Sequence, residues 1–465
     1  MFLRGTLLRA LIGLMLMAAV AAPAQEKLVL TLENSVDLAL KNNPEIKVAE
    51  KELSKSKAGI WEAYSNILPQ ITGSVNYQHA WEIQKNVIPN FIKPMLGPLA
   101  DMIPDLSAMP DYLEMSFGLE NTFTYGAQLT QPLFLGGAGM AGVKISYAAR
   151  RAAEENLRMK RQGLIYNSVN AFYMCLLTKE VAAVQEEALA QAQANFDVVL
   201  KKYDAGAASG FDKMRAEVEV ANLKPSVINA RNGFNSAKTM LRNVLGLEKD
   251  VQIEVEGQLE YFEDNFAEKS LAEVQKMTLE LRPEIHAMDE QKYIAKKGLC
   301  IARSSFLPKV FFQTDYSYLA MKNDTKFKQD DFNKGFTSAI GVQIPLFTGF
   351  KNSAQYQKAR LDVKIMQDTE KQVSDGLMAE AEVVYNSFKE AEEKYQAAAQ
   401  SVDLAKEALR LANMMYEEGA NTQLDVLNSQ LAFTRAKLNY VSSLYEYQMA
   451  RYQIRKVTGT LKDIL

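Results

Sequence analysis

From Ile71 the chain alternates strictly. Ile71, Gly73, Val75, Tyr77, His79 and Trp81 fall on one face; Thr72, Ser74, Asn76, Gln78 and Ala80 fall on the other. Eleven residues of such alternation is the length a tilted strand needs to cross a bilayer. A second run sets Phe123, Tyr125, Ala127 and Leu129 against Thr122, Thr124, Gly126, Gln128 and Thr130. In the second half, Phe336, Ile340, Val342 and Ile344 alternate with Thr337, Ala339, Gly341 and Gln343, while Val310 to Ala320 is less regular because Phe311 and Leu319 fall on its polar face. Four strands are predicted, near 70–82, 112–131, 309–320 and 335–345. A half-buried strand of a soluble sandwich alternates in the same way. The polar faces here carry Thr, Ser, Asn and Gln rather than Lys and Glu, which favours a wet lumen behind a membrane-facing surface.

Between the strands the period changes to 3.6. Opening helices start at Pro44 and Pro283, where proline's missing N–H is harmless, and stop before Leu68-Pro69 and Leu307-Pro308. Two stretches without proline follow the strand pairs, 139–204 and 350–416. At 1.5 Å per residue each reaches about 100 Å as a helix. Charges such as Arg150, Arg151, Glu154 and Glu155 forbid a path through lipid, since each charge at mid-bilayer costs about 2.5–3.5 kcal/mol. These helices must run through water, and alanine-rich stretches such as Ala182 to Ala194 suit close helix packing in a coiled coil. Each ends in a turn with a glycine, Gly206 or Gly419, suited to the positive φ of a helix end. Return helices follow over 211–245 and 423–457, with a kink expected at Pro225.

The same pattern is written twice. Pro44-Glu45-Ile46, Leu68-Pro69 and Tyr77 recur 239 positions later as Pro283-Glu284-Ile285, Leu307-Pro308 and Tyr316. Pro132-Leu133-Phe134, Gly136, Tyr203, Gly206, Asp212 and Gly246 recur 213 positions later as Pro345-Leu346-Phe347, Gly349, Tyr416, Gly419, Asp425 and Gly459. The offset changes once, by an insertion of 26 residues between Trp81 and Asp111. The division expected is a first repeat over 25–250, a bridging segment over 251–282 and a second repeat over 283–465. The insertion holds Pro89, Pro94, Pro98 and Pro104, which argues against regular strand or helix through most of it; an apolar segment folded over a barrel mouth, one packed on neighbouring loops and a disordered loop all fit.

Residues 1–24 read as a secretory leader: Arg4 and Arg9, an apolar run from Leu11 to Ala22, and Ala22-Pro23-Ala24 as a cleavage site. Without them the chain carries 51 basic against 56 acidic residues, a net charge near −5, which argues against nucleic acid as a partner. Cys175 and Cys300 stand in no motif and read as two buried thiols. His79, beside Trp81, reads as an interfacial aromatic position rather than a metal ligand, and His286 as a helix-surface residue. No phosphate-binding loop, no set of metal ligands and no nucleophile with a base is present in the sequence, so neither catalysis nor a cofactor is expected.

Four amphipathic strands cannot close a barrel, and open sheet edges are not tolerated in lipid. Known bacterial barrels begin at eight strands. The chain must therefore complete its sheet with copies of itself. In this respect, and in the doubled order Leu-Pro, Pro-Leu-Phe-x-Gly and Tyr-x-x-Gly-x5-Asp, nearly the whole mature chain resembles the TolC-like outer-membrane efflux proteins. The resemblance implies a mixed α and transmembrane-β fold and a homotrimer whose 12-strand β-barrel continues into a periplasmic α-helical tunnel. It also implies a periplasmic adaptor and an inner-membrane pump as partners, and the Gram-negative outer membrane as location.

It implies, further, a gate at the helical tips. Asp425 matches the first of two acidic residues that ring the family's closed entrance; Asn428 stands at the second. Equally, Asp425 reads as a charge at the start of a helix. Asp212 matches an aspartate of the family's closing links, and Tyr416 matches their tyrosine. The arginine partner is replaced by Asn421, so those links are altered here. Tyr203, Gly206, Tyr416 and Gly419 would shape the tips that meet an adaptor, or simply turn two helical hairpins. The expected function is a passive exit duct for efflux or for type I protein secretion. A pore-less periplasmic coiled-coil protein is the rival, and it leaves the four strands unexplained.

Overall fold

The computed structural model describes residues 27–96, 109–116 and 118–461. The leader expected over 1–24 and part of the proline-rich insertion lie outside these residues. In chain order the elements are β1 (Leu28–Leu30), α1 (Leu32–Asn42), α2 (Pro44–Ser65), β2 (Gln70–His79), β3 (Lys85–Pro89), α3 (Ile92–Leu96), β4 (Tyr112–Ser116) and β5 (Asn121–Phe134). There follow α4 (Ala138–Asp204), α5 (Gly210–Val244), β6 (Ile253–Val255), α6 (Leu271–Leu281) and α7 (Pro283–Ser304). The chain continues with β7 (Lys309–Lys322), β8 (Asn333–Gln343), α8 (Lys351–Glu417) and α9 (Gln423–Val457). Two compact units result. One comprises residues up to Ser56, Ala149–Lys292 and those from Ile365; the other comprises Lys57–Ala148 and Tyr293–Lys364.

In the second of these units, four strands form an antiparallel sheet in the order β2-β5-β7-β8. The register aligns their alternation. Val75 stands opposite Tyr125, which stands opposite Tyr318; Tyr316 stands opposite Phe336, and Phe312 opposite Ile340. One face is therefore mainly apolar, interrupted by the paired Thr314 and Ser338, and Ile71, Val75, Phe336, Ile340 and Val342 are each at least 60% exposed on it. The other face carries Thr72, Ser74, Thr124, Gln128, Gln313 and Ser317, with Phe311 and Leu319 interrupting it. Strands β5 and β7 approach closely at Gly126, where a side-chain carbon would stand 2.6 Å from the Tyr316 carbonyl oxygen.

The structure divides the strand expected over 112–131. Tyr112–Ser116 pairs with Lys85–Pro89 in a separate two-stranded ladder, and the long strand begins only at Asn121, beyond Gly118 with its φ of +123°. The insertion is also more regular than its prolines suggested. Pro89 is the last residue of β3, and Pro94 lies within the first turn of α3, where a missing N–H breaks no bond. Asn90 joins the two, its Oδ1 accepting from the N–H groups of Ile92 and Lys93 while its Nδ2 donates to the Pro110 carbonyl.

In the other unit, α5 and α9 are 35 residues long, and α5 continues through Pro225. Val169, Phe172, Leu176, Leu241, Leu245 and Tyr452 pack into one core with Ile253 and Val255 of β6. A second core joins Phe266, Val274, Phe388, Tyr447 and Ile454. The bridging segment is pinned to α9 by a buried carboxylate. Asp264 Oδ2 accepts from Arg451 Nε at 3.0 Å and from Arg455 at 2.9 Å, and its Oδ1 accepts the Phe266 N–H at 3.1 Å. Burial opposes the Asp264 charge, but these bonds together hold its carboxyl below the usual range. Of the two thiols expected to be buried, Cys175 is buried and Cys300, on α7, is exposed. Burial pushes the Cys175 thiol up to about 12.

Candidate functional site at the helical tips

Both tips are built by the same local chemistry. The first long helix, α4, ends with Gly206 at φ +74°; the Ala207 N–H reaches back to the Lys202 carbonyl at 2.7 Å and the Gly206 N–H to Tyr203 at 2.9 Å. The other, α8, ends with Gly419 at φ +71°, Ala420 bonding Met415 at 2.8 Å and Gly419 bonding Tyr416 at 3.2 Å. Glycine takes that left-handed conformation without the penalty a Cβ brings.

The return helices then begin with reciprocal caps. Ser209 Oγ accepts the Asp212 N–H at 3.1 Å, and Asp212 Oδ2 accepts from the Ser209 hydroxyl at 2.6 Å and N–H at 3.3 Å. Thr422 and Asp425 repeat the arrangement: Thr422 Oγ1 accepts the Asp425 N–H at 3.3 Å, and Asp425 Oδ2 accepts from Thr422 N–H and hydroxyl. Two orphan donors are satisfied at each start. The Thr422 hydroxyl and backbone N–H hold the Asp425 carboxyl below the usual carboxylate range. The structure thus places both aspartates as caps. Each spends one oxygen on its cap, and among the described residues no bond to the other oxygen is present.

Asn421 Oδ1 accepts the Thr422 N–H at 2.9 Å, so this residue braces its own tip. Asn428 is exposed one turn into α9. Tyr203 is exposed, with Lys213 Nζ 5.0 Å from its ring centre. Tyr416 is half-buried, and burial with the nearby Asp212 carboxylate raises its hydroxyl pKa. The two tips are therefore neighbours.

Two contributors escaped the sequence reading. Lys202 Nζ donates to the Tyr416 carbonyl at 2.8 Å and lies 4.0 Å from that ring's centre, tying the first tip to the second by a charge-assisted bond and a cation–π contact. Gln423 is buried just after its cap, with no partner for its amide among the described residues. Lys202, one position before Tyr203 and matched by Met415 in the second tip, carries no signal in the sequence, since it matters only once the tips are side by side. Among the described residues no group of His, Cys, Asp and Glu forms a metal-binding cluster. His79 Nδ1 lies 2.8 Å from Asn121 Oδ1, its ring edge-on to Trp81. No described helix is long and apolar enough to cross a membrane.

The model of the family described as "Outer membrane efflux protein" matches residues 35–247 and 274–460. The outer membrane efflux protein BepC of Brucella suis is 24% identical over 457 residues, covering 96% of this chain and 89% of the relative. The cobalt-zinc-cadmium resistance protein CzcC of Cupriavidus metallidurans is 23% identical, covering 92% and 90%. Among solved structures, the outer-membrane channel OprN aligns with a TM-score of 0.75 over 92% of this chain and 90% of the channel, at 16% identity.

Proposed function

Because this chain belongs to the outer membrane efflux protein family, whose members are exit ducts of the Gram-negative outer membrane, we propose that it acts as a homotrimer with a continuous 12-strand barrel. The observation that carries this reading is the four-stranded sheet. One face is mainly apolar, the other mainly polar, and among the described residues β2 and β8 each leave an outer edge unpaired. In hydrocarbon every unsatisfied backbone group costs several kcal/mol. The edges must be paired, and β2 of one copy against β8 of the next closes the sheet after three copies at twelve strands. The duplicated repeats over 25–250 and 283–465 are the frame that supplies two strands each. Sedimentation of the detergent-purified protein tests the count: three chains per particle are expected, and a stable monomer or dimer overturns it.

The α4–α5 and α8–α9 tips are then the periplasmic entrance. In this reading Tyr203, Gly206, Tyr416 and Gly419 shape the surface met by an adaptor protein, behind which an inner-membrane pump supplies the energy. Asp425, Asp212, Asn421 and Asn428 line the gate. Capping and gating coexist at Asp425, because the carboxylate oxygen that its cap does not use remains able to face the passage. Three such carboxylates in a ring would concentrate cations and repel anions. The duct itself is passive and carries out no chemistry.

A further inference from the structure

A site remote from the tips has its own chemistry. Strands β1 and β6 form a two-stranded parallel ladder, and among the described residues nothing further pairs with either. The Leu28 N–H bonds the Gln252 carbonyl at 2.9 Å and the Glu256 N–H bonds the Leu30 carbonyl at 3.0 Å. With Leu28 paired to Ile253 and Leu30 to Val255, the ladder consumes the inner groups of Gln252, Glu254 and Glu256. In a parallel ladder, alternate residues bond to one side. The N–H and C=O groups of Ile253 and Val255 therefore point away from β1, along an edge that no strand of the described residues pairs.

That edge borders an open groove of about 510 Å³ between β6 and the helices α4 and α5. Four cationic side chains line it, Lys27, Lys179, Lys238 and Arg242, against the single carboxylate of Glu254. Glu254 is already engaged by Lys27 at 3.6 Å. Arg242 is bonded to the Val251 carbonyl, two residues before β6, at 3.3 Å, and Lys238 lies over the Phe234 ring. Neither Lys179 nor Lys238 has a carboxylate partner among the described residues. In a chain with a net charge of −3, this is a local excess of positive charge beside an unpaired strand edge. Natural edges are ordinarily covered or blunted.

The geometry points to a docking site for an extended acidic segment of a partner protein, which adds to β6 as a third strand. Its backbone would take up the free groups of Ile253 and Val255, and its carboxylates would meet Lys179, Lys238 and Arg242. Main-chain bonds supply affinity in such strand addition and the side chains supply selection. Charge complementarity selects an acidic strand over a neutral or basic one.

The test uses the detergent-purified full chain and a fluorescein-labelled ten-residue peptide alternating valine and glutamate, read by fluorescence anisotropy. Saturable binding is expected, weakened at least tenfold when lysine replaces glutamate in the peptide. A similar loss is expected for the protein variant Lys179→Glu/Lys238→Glu. N-methylation of one alternating set of peptide amides should abolish binding and that of the other set should leave it. Unchanged channel conductance of the double variant would show that its fold is intact. No binding by the purified oligomer, as when a second copy covers the groove, overturns the proposal. So does equal binding of the lysine peptide, or indifference to both N-methylated sets.

Discussion

Replacing Asp264 by asparagine removes one charge from a three-member network while keeping its size. The Asp264 side chain is fully buried, and those of Arg451 and Arg455 are 9% and 18% exposed. Breaking a buried pair from one side costs about 3–5 kcal/mol, because the remaining charge stays desolvated. Arg455 retains some access to water and asparagine still accepts the Phe266 N–H, so the lower end, about 3 kcal/mol, is expected. The loss should be local. Asp264 fixes the segment that also inserts Phe266 into the second core and lays Tyr261 between Tyr395 and Tyr447. Hydrogen exchange read by mass spectrometry measures this directly. Peptides spanning 258–268 should exchange about 100-fold faster in Asp264→Asn, the equivalent of about 3 kcal/mol of lost protection, with α4 peptides near Val169 unchanged. Glu263→Gln, at an exposed neighbouring position, should change nothing. Adding Arg455→Met to Asp264→Asn should recover part of the loss, since one uncompensated charge is removed. An effect below threefold, or one spread over the whole helical unit, would refute the reasoning.

Other consequences follow from the same geometry. Gly126→Val would press a side chain onto the Tyr316 carbonyl and Ser317 backbone, so β5 and β7 cannot pair; membrane-inserted oligomer, scored by heat-stable migration on gels, should be lost. Lys202→Met removes the bond and the ring contact to Tyr416, and exchange in peptides spanning 412–420 should rise about tenfold, from about 1–2 kcal/mol of charge-assisted bonding, while the distant Asp264 segment stays protected. For Asp425 the sign follows from its depressed carboxyl: the cap is complete above the unfolded value of about 3.9 and is lost as pH falls through the lower folded value. Exchange at the start of α9 should therefore show a protonation step below about pH 4 that Asp425→Asn abolishes; a step near pH 6 would assign the switch to another group.

The sheet was legible because its alternation is long and its register follows from a single face. Helix ends were legible where proline or glycine marks them, as at Pro44, Pro283, Gly206 and Gly419. The small ladder of β1 and β6 was not, since two three-residue strands more than 200 positions apart carry no periodicity of their own. The regular parts of the insertion were not legible because proline ordinarily breaks strand and helix, whereas Pro89 and Pro94 occupy positions that need no N–H. At the tips the aspartates were found by their doubled spacing. That spacing could not separate a cap from a gate, and the structure supplies the caps. Lys202 and Asp264 were invisible for another reason: a charge on a helix or in a linker acquires meaning only from the partner that folding brings to it.

We propose that this chain forms a conducting duct whose constriction involves the tip at Asp425. Single-channel recording in a planar bilayer, with Asp425→Ala beside the unaltered protein, tests it most directly. Small cation-selective steps are expected, which enlarge or lose selectivity in the variant. Correctly assembled oligomers that insert and never conduct would contradict the duct, and conductance identical in both proteins would leave Asp425 as a helix cap alone.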